Sequence, residues 1–192
     1  AWLRGRVSQG GPDQAPLRVL DVGTGSGAII VALAAACSQA PGPGPSTAWW
    51  ASDLSREALA LAAANAARLC PAAEIRFHHA DLWPESGEAR TFHLLLANLP
   101  YIGTEERPSL APDVVNHEPH LALFAGPQGL DQIRRLIDGL PRRLDPGGGV
   151  ALEIGYRQGE AVQALLREAL PGAVVRVHRD LAGLDRMVTA QY

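Results

Sequence analysis

The chain has 192 residues, 47% of them hydrophobic, which is typical of a single globular domain. Its formal charge is −3 and all 17 basic residues are arginine, so no polybasic surface for nucleic acid is indicated. Two cysteines in apolar helical segments predict free thiols, and no apolar run approaches the roughly 20 residues of a membrane-spanning helix. We therefore expect a soluble, cytoplasmic monomer that binds neither nucleic acid nor membranes.

The hydrophobic pattern after residue 16 alternates between strand-like and helix-like segments. In chain order the predicted elements are a strand at 17–22, a helix at about 28–39, a strand at 48–52, a helix from Ser55 to about Leu69, strands at 74–79 and 92–97, a helix at 130–144, a strand at 150–154, a helix at 159–170, and strands at 174–178 and 187–190. Residues 1–16 are interpreted as a linker, and residues 17–192 as one domain. The alternation predicts an α/β fold with a mostly parallel sheet, and the short last connection predicts an antiparallel C-terminal pair.

Three alternate glycines join the first predicted strand to the first predicted helix, in the turn Gly23-Thr24-Gly25-Ser26-Gly27. Glycine lets the backbone turn tightly and approach a ligand closely, so this turn is expected to contact a nucleotide-like cofactor. The same segment also satisfies the G-x-G-x-x-A fingerprint of dinucleotide enzymes. The turn by itself therefore leaves a nicotinamide cofactor open.

Acidic residues near the ends of three predicted strands favour S-adenosylmethionine instead. Asp21 would repel a pyrophosphate but could receive a positively charged amino acid group; capping of backbone donors is the alternative. Asp53 could accept both ribose hydroxyls, or could cap the helix ahead of Ser55. Asp81 could read an adenine amino group while Leu82 covers the ring, or could be a plain turn residue. S-adenosylmethionine has all of these groups and no phosphate.

The segment Asn98-Leu99-Pro100-Tyr101 follows the fourth predicted strand and opens a long irregular stretch, 98–127, where we expect the substrate. An amide nitrogen is a poor nucleophile because its lone pair is delocalised into the carbonyl. The Asn98 side-chain oxygen and the Leu99 carbonyl could accept hydrogen bonds from its two N–H groups. Tyr101 offers a ring on which a flat amide or base can stack. The segment predicts methyl transfer to a planar nitrogen, although a turn chosen only for backbone geometry is the alternative.

The sequence resembles the release-factor glutamine N5-methyltransferases, the HemK or PrmC family, over about residues 17–192. The motifs that carry the resemblance are Asp21–Gly27, Asn98–Tyr101, Glu118-Pro119-x-x-Ala122-Leu123, Gly129-Leu130 and Asp180–Arg186. The resemblance implies a class I S-adenosylmethionine-dependent methyltransferase fold, Rossmann-like and seven-stranded. It also implies methylation of the glutamine in the Gly-Gly-Gln loop of peptide chain release factors. The cofactor contacts that it implies are Gly23–Gly27, Asp53, Leu82 and Asn98.

Two departures from the family pattern affect what we expect. The usual tetrapeptide is Asn-Pro-Pro-Tyr, and Leu99 replaces the first proline. The backbone carbonyl is kept but the fixed φ angle is lost, so we expect reduced rigidity and an unchanged reaction. Family members also have a small N-terminal helical domain that helps to hold the release factor. We expect that domain to be absent here and the chain to be a fragment or a truncated form.

Other functions fit parts of the same pattern. A nucleic-acid base or a ribosomal-protein glutamine would suit the same two-acceptor site, and a nicotinamide-dependent oxidoreductase or a non-catalytic binding module would use the glycine turn. His117 and His120 are separated by Pro119 and lack a further ligand cluster in sequence, so no metal site is expected. Asp185 and Arg186 are expected to form a local ion pair.

Overall fold

The computed structural model describes residues 15–38, 46–84, 91–104 and 125–192. Most of the predicted linker and the motif at 118–123 therefore lie outside the described residues. The strands are β1 (Leu17–Val22), β2 (Thr47–Asp53), β3 (Ile75–His79), β4 (Phe92–Ala97), β5 (Leu144–Glu153), β6 (Val174–Arg179) and β7 (Asp185–Gln191). The helices are α1 (Ala28–Ser38), α2 (Arg56–Leu69), α3 (Asp131–Gly139) and α4 (Gly159–Ala169), with a 3₁₀ helix at Leu140–Arg142.

The strand order across the sheet is β3-β2-β1-β4-β5-β7-β6, which confirms the predicted α/β fold with seven strands. The chain divides into two compact units. The first unit is Ala1–Ala97 with Leu144–Gly148, and the second is Asn98–Arg143 with Gly149–Tyr192. None of the helices in the described ranges is both long and apolar enough to cross a membrane.

In the first unit β1 pairs in parallel with β2 and β4, and β2 pairs in parallel with β3. Val22 lies opposite both Ser52 and Ala97, and Asp53 lies opposite His79. The carboxyl ends of these four strands therefore meet at one edge. Open parallel sheets bind their ligands at this edge.

The predicted bounds of β1 and β4 agree with the structure because both strands are almost completely buried. A strand covered on both faces is a continuous apolar run, which is easily located in a sequence. The predicted cap of α2 is also confirmed. The Ser55 hydroxyl accepts a hydrogen bond from the Ala58 N–H at 3.1 Å, which satisfies one of the unpaired donors of the first helical turn.

In the second unit β7 pairs antiparallel with both β5 and β6, and it lies between them. Val188 is opposite Leu152 on one side and Val177 on the other. The predicted antiparallel C-terminal pair is therefore confirmed. The edge strand is β6, the earlier of the two in the chain.

The predicted helix at 130–144 is wrong at its C-terminal end. Helix α3 ends at Gly139 and continues as a 3₁₀ turn, and β5 begins at Leu144 instead of Val150. Pro141 has no N–H to donate to the Ile137 carbonyl, so the α-helical ladder cannot continue through it. The carbonyl accepts instead from the Leu140 N–H, in the 3₁₀ pattern. The Asp-Pro-Gly-Gly-Gly run at 145–149, directly after the predicted helix, lies inside β5.

The predicted ion pair between Asp185 and Arg186 is also wrong. Arg186 approaches Asp180 at 3.3 Å, and Asp185 approaches Arg179 at 3.3 Å. Neighbouring residues in a strand point to opposite faces of the sheet, so Asp185 and Arg186 do not face each other. Each pairs instead with a residue at the end of β6 or directly after it.

Candidate functional site

The glycine turn follows β1 and is held in place by the end of β2. The N–H groups of Gly23 and Thr24 both donate to the Ser52 carbonyl, at 2.8 and 3.0 Å, and the Gly27 N–H donates to the Thr24 carbonyl at 2.9 Å. Thr24 is buried, whereas Ser26 is exposed. The three alternate glycines all have positive φ, between 56° and 80°, which explains why the turn uses glycine.

Gly25 and Gly27 have different surroundings. A Cβ atom at Gly27 would lie 3.0 Å from the Cβ of Ala62, so this glycine allows close packing against α2. A Cβ atom at Gly25 would meet no atom of the described residues within 4 Å. The backbone at Gly25 therefore borders open space at the ligand-binding edge of the sheet, where a cofactor could approach the chain.

Asp21 is a buried carboxylate that is only partly satisfied. Its Oδ2 accepts a hydrogen bond from the Thr24 hydroxyl at 2.7 Å, and its Oδ1 is buried with no hydrogen-bond partner among the residues that the structure describes. Burial raises the pKa of Asp21 to about 6. A buried acceptor without a donor is unfavourable unless a ligand supplies one, and an ammonium group could supply it. A backbone hydrogen bond from Ile30, which lowers the pKa of Asp21, leaves the alternative role in backbone capping open.

Asp53 accepts two backbone hydrogen bonds, one from the glycine turn and one from the start of the following helix. One carboxylate oxygen accepts the Gly25 N–H at 2.8 Å, and the other accepts the Ser55 N–H at 2.8 Å. The side chain therefore ties the glycine turn to the start of α2. Each oxygen has a second lone pair, and the residue is half-buried, so it could still accept the hydroxyls of a ribose.

The turn after β3 contains Asp81, which is exposed, and Leu82, which is buried. Leu82 has a φ of 65° and is the one residue other than glycine with a positive φ within the described ranges. Its carbonyl accepts a hydrogen bond from the Ser52 hydroxyl at 2.7 Å. Strain of this kind persists where surrounding contacts impose it, often at ligand sites.

Ser52 was not predicted from the sequence, although it is the residue that joins the two turns. Its carbonyl holds the glycine turn and its hydroxyl holds the Leu82 turn. The side chain is fully buried in a strand whose neighbours are mostly apolar. A serine directly after the apolar run 48–51 was the available signal, but its partners are 28 or more positions away and could not be assigned.

The Asn98–Tyr101 segment belongs to the second unit and follows Ala97 directly in the chain. Asn98 is exposed, Leu99 is buried, and Pro100 and Tyr101 are half-buried. The Tyr101 hydroxyl lies 3.4 Å from Oε1 of Glu153, and burial, then the Glu153 charge, raises the pKa of the phenol. The phenol is therefore neutral at physiological pH, and the segment presents an exposed amide beside an anchored leucine.

Gln158 is a second residue that was not predicted. Its Nε2 donates to the Tyr101 carbonyl at 2.8 Å, which fixes the last residue of the segment.

As for metals, the described part of the chain contains no group of three or more His, Cys, Asp or Glu residues that could hold an ion. His117 and His120 lie outside the described residues.

Sequence comparison places the chain among methyltransferases. A family model described as "Methyltransferase domain" matches residues 19–117. The release factor glutamine methyltransferase of Lactococcus lactis subsp. lactis is 38% identical over 175 residues, which cover 91% of this chain and 61% of that protein. The release factor glutamine methyltransferase of Cereibacter sphaeroides is 47% identical over 141 residues, which cover 73% of this chain and 50% of that protein. The chain thus spans about half to three fifths of the length of the curated relatives it matches.

A solved structure supports the same fold. The ribosomal protein L11 methylase of Lactobacillus delbrueckii subsp. bulgaricus superposes with a TM-score of 0.59 over 93% of this chain and 71% of that protein. Its sequence identity is 22%, so this likeness shows the fold alone. The family implies S-adenosylmethionine as the methyl donor, in agreement with the orphaned carboxylate oxygen of Asp21. The chain belongs to the methyltransferase-domain family, and over most of its length it is similar to release factor glutamine methyltransferases.

Proposed function

We propose that the chain transfers a methyl group from S-adenosylmethionine to the side-chain amide nitrogen of a glutamine in a peptide chain release factor. The observation that carries the proposal is the exposed Asn98, which follows a buried parallel strand and precedes an anchored Leu99 and Tyr101. Two curated relatives are named release factor glutamine methyltransferase, which supports the choice of substrate. The family resemblance adds the Gly-Gly-Gln loop as the site of modification. We further propose that residues 17–192 form the catalytic domain and that residues 1–16 are a linker.

The first unit supplies residues that could hold the cofactor. S-adenosylmethionine, when bound, supplies an electrophilic methyl group on a sulfonium. Asp21 would receive the ammonium group at its unpartnered Oδ1, and the open space at Gly25 would admit the cofactor to the backbone. Asp53 would accept the ribose hydroxyls, while Asp81 and Leu82 would contact the adenine. The other residues of the turn, Gly23, Thr24, Ser26 and Gly27, would shape the pocket wall.

The second unit supplies residues that could activate the amide. The Asn98 Oδ1 and the Leu99 carbonyl would accept hydrogen bonds from the two amide hydrogens, which increases electron density on the nitrogen. Tyr101 would support the flat amide group with its ring, and Pro100 restricts the backbone between these residues. The exposure of Asn98 would let the proton released by the nitrogen pass to water, so no dedicated base is required.

Other substrates and cofactors are less well supported. The net charge of −3 does not favour nucleic acid, whose recognition depends on neutralising phosphates. A buried carboxylate at Asp21 would oppose the pyrophosphate of a nicotinamide cofactor. The methyl-transfer assay also tests the alternative that the chain is a non-catalytic binding module.

The experiment is methyl transfer from labelled S-adenosylmethionine to an unmodified release factor, with a release factor lacking the loop glutamine and an oligonucleotide as parallel acceptors. We expect a single methyl group on the loop glutamine, located by tandem mass spectrometry. Label on the oligonucleotide alone would contradict the proposed substrate. Cofactor binding without label on any acceptor would favour the binding module.

Replacement of Asn98 by alanine tests the proposed activation. We expect Asn98→Ala to lower the methylation rate by about 10²–10³, by analogy with the loss of one polar group that stabilises a transition state. Cofactor affinity, measured by calorimetry, should remain close to that of the wild type because the proposed cofactor contacts lie mainly in the first unit. Equal rates for the variant and the wild type would remove Asn98 from the mechanism.

A further inference from the structure

Gln158 forms a buried hydrogen-bond clamp in the second unit. It is 7% exposed and precedes α4 as its N-cap residue. Its Nε2 lies within hydrogen-bond distance of three backbone carbonyls, those of Tyr101 at 2.8 Å, Gln128 at 3.0 Å and Gly129 at 3.3 Å, so its two hydrogens are shared among them. Its Oε1 accepts the Gly155 N–H at 2.9 Å. The opposite amide orientation would place an oxygen against three carbonyl oxygens, so the network determines the orientation.

Glycines on both sides allow this clamp to close. Gly129 has a φ of 70°, and a Cβ atom there would overlap the Tyr101 carbonyl group. A Cβ atom at Gly155 would lie 3.2 Å from both Cδ and Oε1 of Gln158 and 3.5 Å from Cδ2 of Tyr101. The amide of Gln158 is therefore enclosed between two glycine positions and the backbone of Tyr101.

The same two chain segments are also joined beside the clamp. The Thr104 N–H donates to the Gly126 carbonyl at 2.9 Å, and the Ala125 N–H donates to the Ile102 carbonyl at 3.1 Å. These backbone bonds align residues 102–104 with residues 125–126. Gln158 is the side chain that extends this alignment to Tyr101, at the end nearest to Asn98 and Leu99.

We propose that Gln158 is a positioning residue for methyl transfer, acting through the Tyr101 backbone on the Leu99 carbonyl and the Asn98 amide; this inference rests on the proposed function. Leucine at position 99 leaves φ free where a proline would fix it. The buried Leu99 side chain anchors one end of the segment, and the Gln158 clamp anchors the other. Since a misplacement of about 1 Å can cost roughly 10² in rate, loss of the clamp is expected to slow transfer.

Gln158→Glu is expected to make the clamp depend on pH. The new side chain has nearly the same shape, but an ionised carboxylate would face three carbonyl oxygens and repel them. A protonated carboxyl would still donate one hydrogen bond to them. We therefore expect the activity of Gln158→Glu to recover as the pH is lowered. Gln158→Met removes the donor without adding charge and should show no recovery.

The experiment compares wild type, Gln158→Glu, Gln158→Met and the control Gln163→Glu, which adds a carboxylate to a half-buried position of α4. At pH 8 we expect kcat to fall by roughly 10–100-fold in both Gln158 variants. Cofactor affinity should change by less than about twofold, because no proposed cofactor contact of the first unit is altered. The kcat of Gln158→Glu relative to wild type should rise towards pH 6, whereas the relative kcat of Gln158→Met and Gln163→Glu should stay constant.

Hydrogen exchange separates the clamp from the reaction. Amides in residues 98–104 and 125–129 should exchange about fivefold faster or more in Gln158→Met, because the side-chain donor that links these segments is lost. The wild type could fail to methylate release factor while these peptides still exchange faster in Gln158→Met than in the wild type. That result would contradict the proposed function but would support the clamp as a structural feature. Wild-type kcat in both folded Gln158 variants overturns the inference. So does a pH profile of Gln158→Glu that matches the wild type, or a failure of both variants to fold.

Discussion

Asp21 combines a structural cost with a proposed binding role. Its side chain is buried, with the residue 1% exposed, and Oδ1 has no hydrogen-bond partner within the described part of the chain. A carboxylate in this environment is less stable ionised than it is in water, because burial removes hydration that the Thr24 hydroxyl replaces only in part. A cationic ligand group would remove this cost. Functional sites commonly contain such residues, which lower stability in the absence of ligand.

The raised pKa of Asp21 predicts how stability depends on pH. The pKa is about 6 in the folded chain and 3.8 ordinarily, so between these values the folded chain retains a proton that the unfolded chain has lost. The contribution of Asp21 to the free energy of unfolding therefore decreases as the pH rises from about 4 to about 6, and stays low above that. Relative to wild type, Asp21→Asn should gain roughly 2–3 kcal/mol between pH 4 and pH 7.

Urea denaturation at several pH values measures this difference. Asp138→Asn makes the same chemical change at an exposed position of α3 and is the matched control. Stability curves of Asp21→Asn and wild type that run parallel from pH 4 to pH 7 would contradict the prediction. The more stable Asp21→Asn variant should also bind S-adenosylmethionine more weakly, as expected when a residue serves binding at the expense of stability.

At the scale of elements, the turn between β1 and α1 has one glycine for packing and one for access. Both Gly25 and Gly27 have positive φ, at 56° and 80°. The two positions differ in their surroundings, since only Gly27 lies against α2. The same substitution at each position therefore separates the contribution of the turn to stability from its contribution to ligand binding.

We expect crossed effects from Gly25→Ala and Gly27→Ala. Gly27→Ala should lower the free energy of unfolding by roughly 2–3 kcal/mol, because backbone strain adds to overpacking against Ala62. Gly25→Ala should cost about 1–2 kcal/mol of strain but weaken cofactor binding at least about tenfold, because its Cβ enters the open space. Denaturant titration and calorimetry measure the two quantities. Gly172→Ala, at a φ of 87° with open surroundings, is the control for strain alone.

At the scale of the whole molecule, the first unit is closed by contacts between residues far apart in sequence. Nη2 of Arg18, in β1, lies 2.7 Å from Oδ2 of Asp145, which is 127 positions later. The Arg18 Nε donates to the Thr91 carbonyl at 2.8 Å, and the Arg18 backbone N–H donates to Nδ1 of His93 at 3.0 Å. Arg18 thus links the starts of β1, β4 and β5.

A double-mutant cycle of Arg18→Met and Asp145→Asn should give a coupling energy of about 1–2 kcal/mol, because the pair is short and partly buried. The comparison pair is Arg179 and Asp185, at 3.3 Å with a largely exposed arginine, for which we expect less than about 0.5 kcal/mol. Both cycles are measured by chemical denaturation. Equal coupling energies in the two cycles would show that burial does not distinguish the pairs.

The elements that could be predicted from the sequence are those with strong local patterns. β1 and β4 are continuous apolar runs, the α2 cap is a serine at the right distance from its helix, and the glycine turn follows a strand directly. The end of α3 also has a local signal, because Pro141 cannot donate the hydrogen bond that would continue the α-helix. Local signals of this kind act through backbone sterics and hydrogen bonds within a few residues, so they are present in any short window of sequence.

Tertiary structure decided the features that depend on distant partners. The position of β7 between β5 and β6, the two contacts of Ser52, the unpartnered oxygen of Asp21 and the clamp of Gln158 all arise where separate segments meet. A sequence identifies which side chains could donate, accept or carry charge. Which of them is buried, and against what, follows only when long-range packing removes water and brings the partners within hydrogen-bond distance.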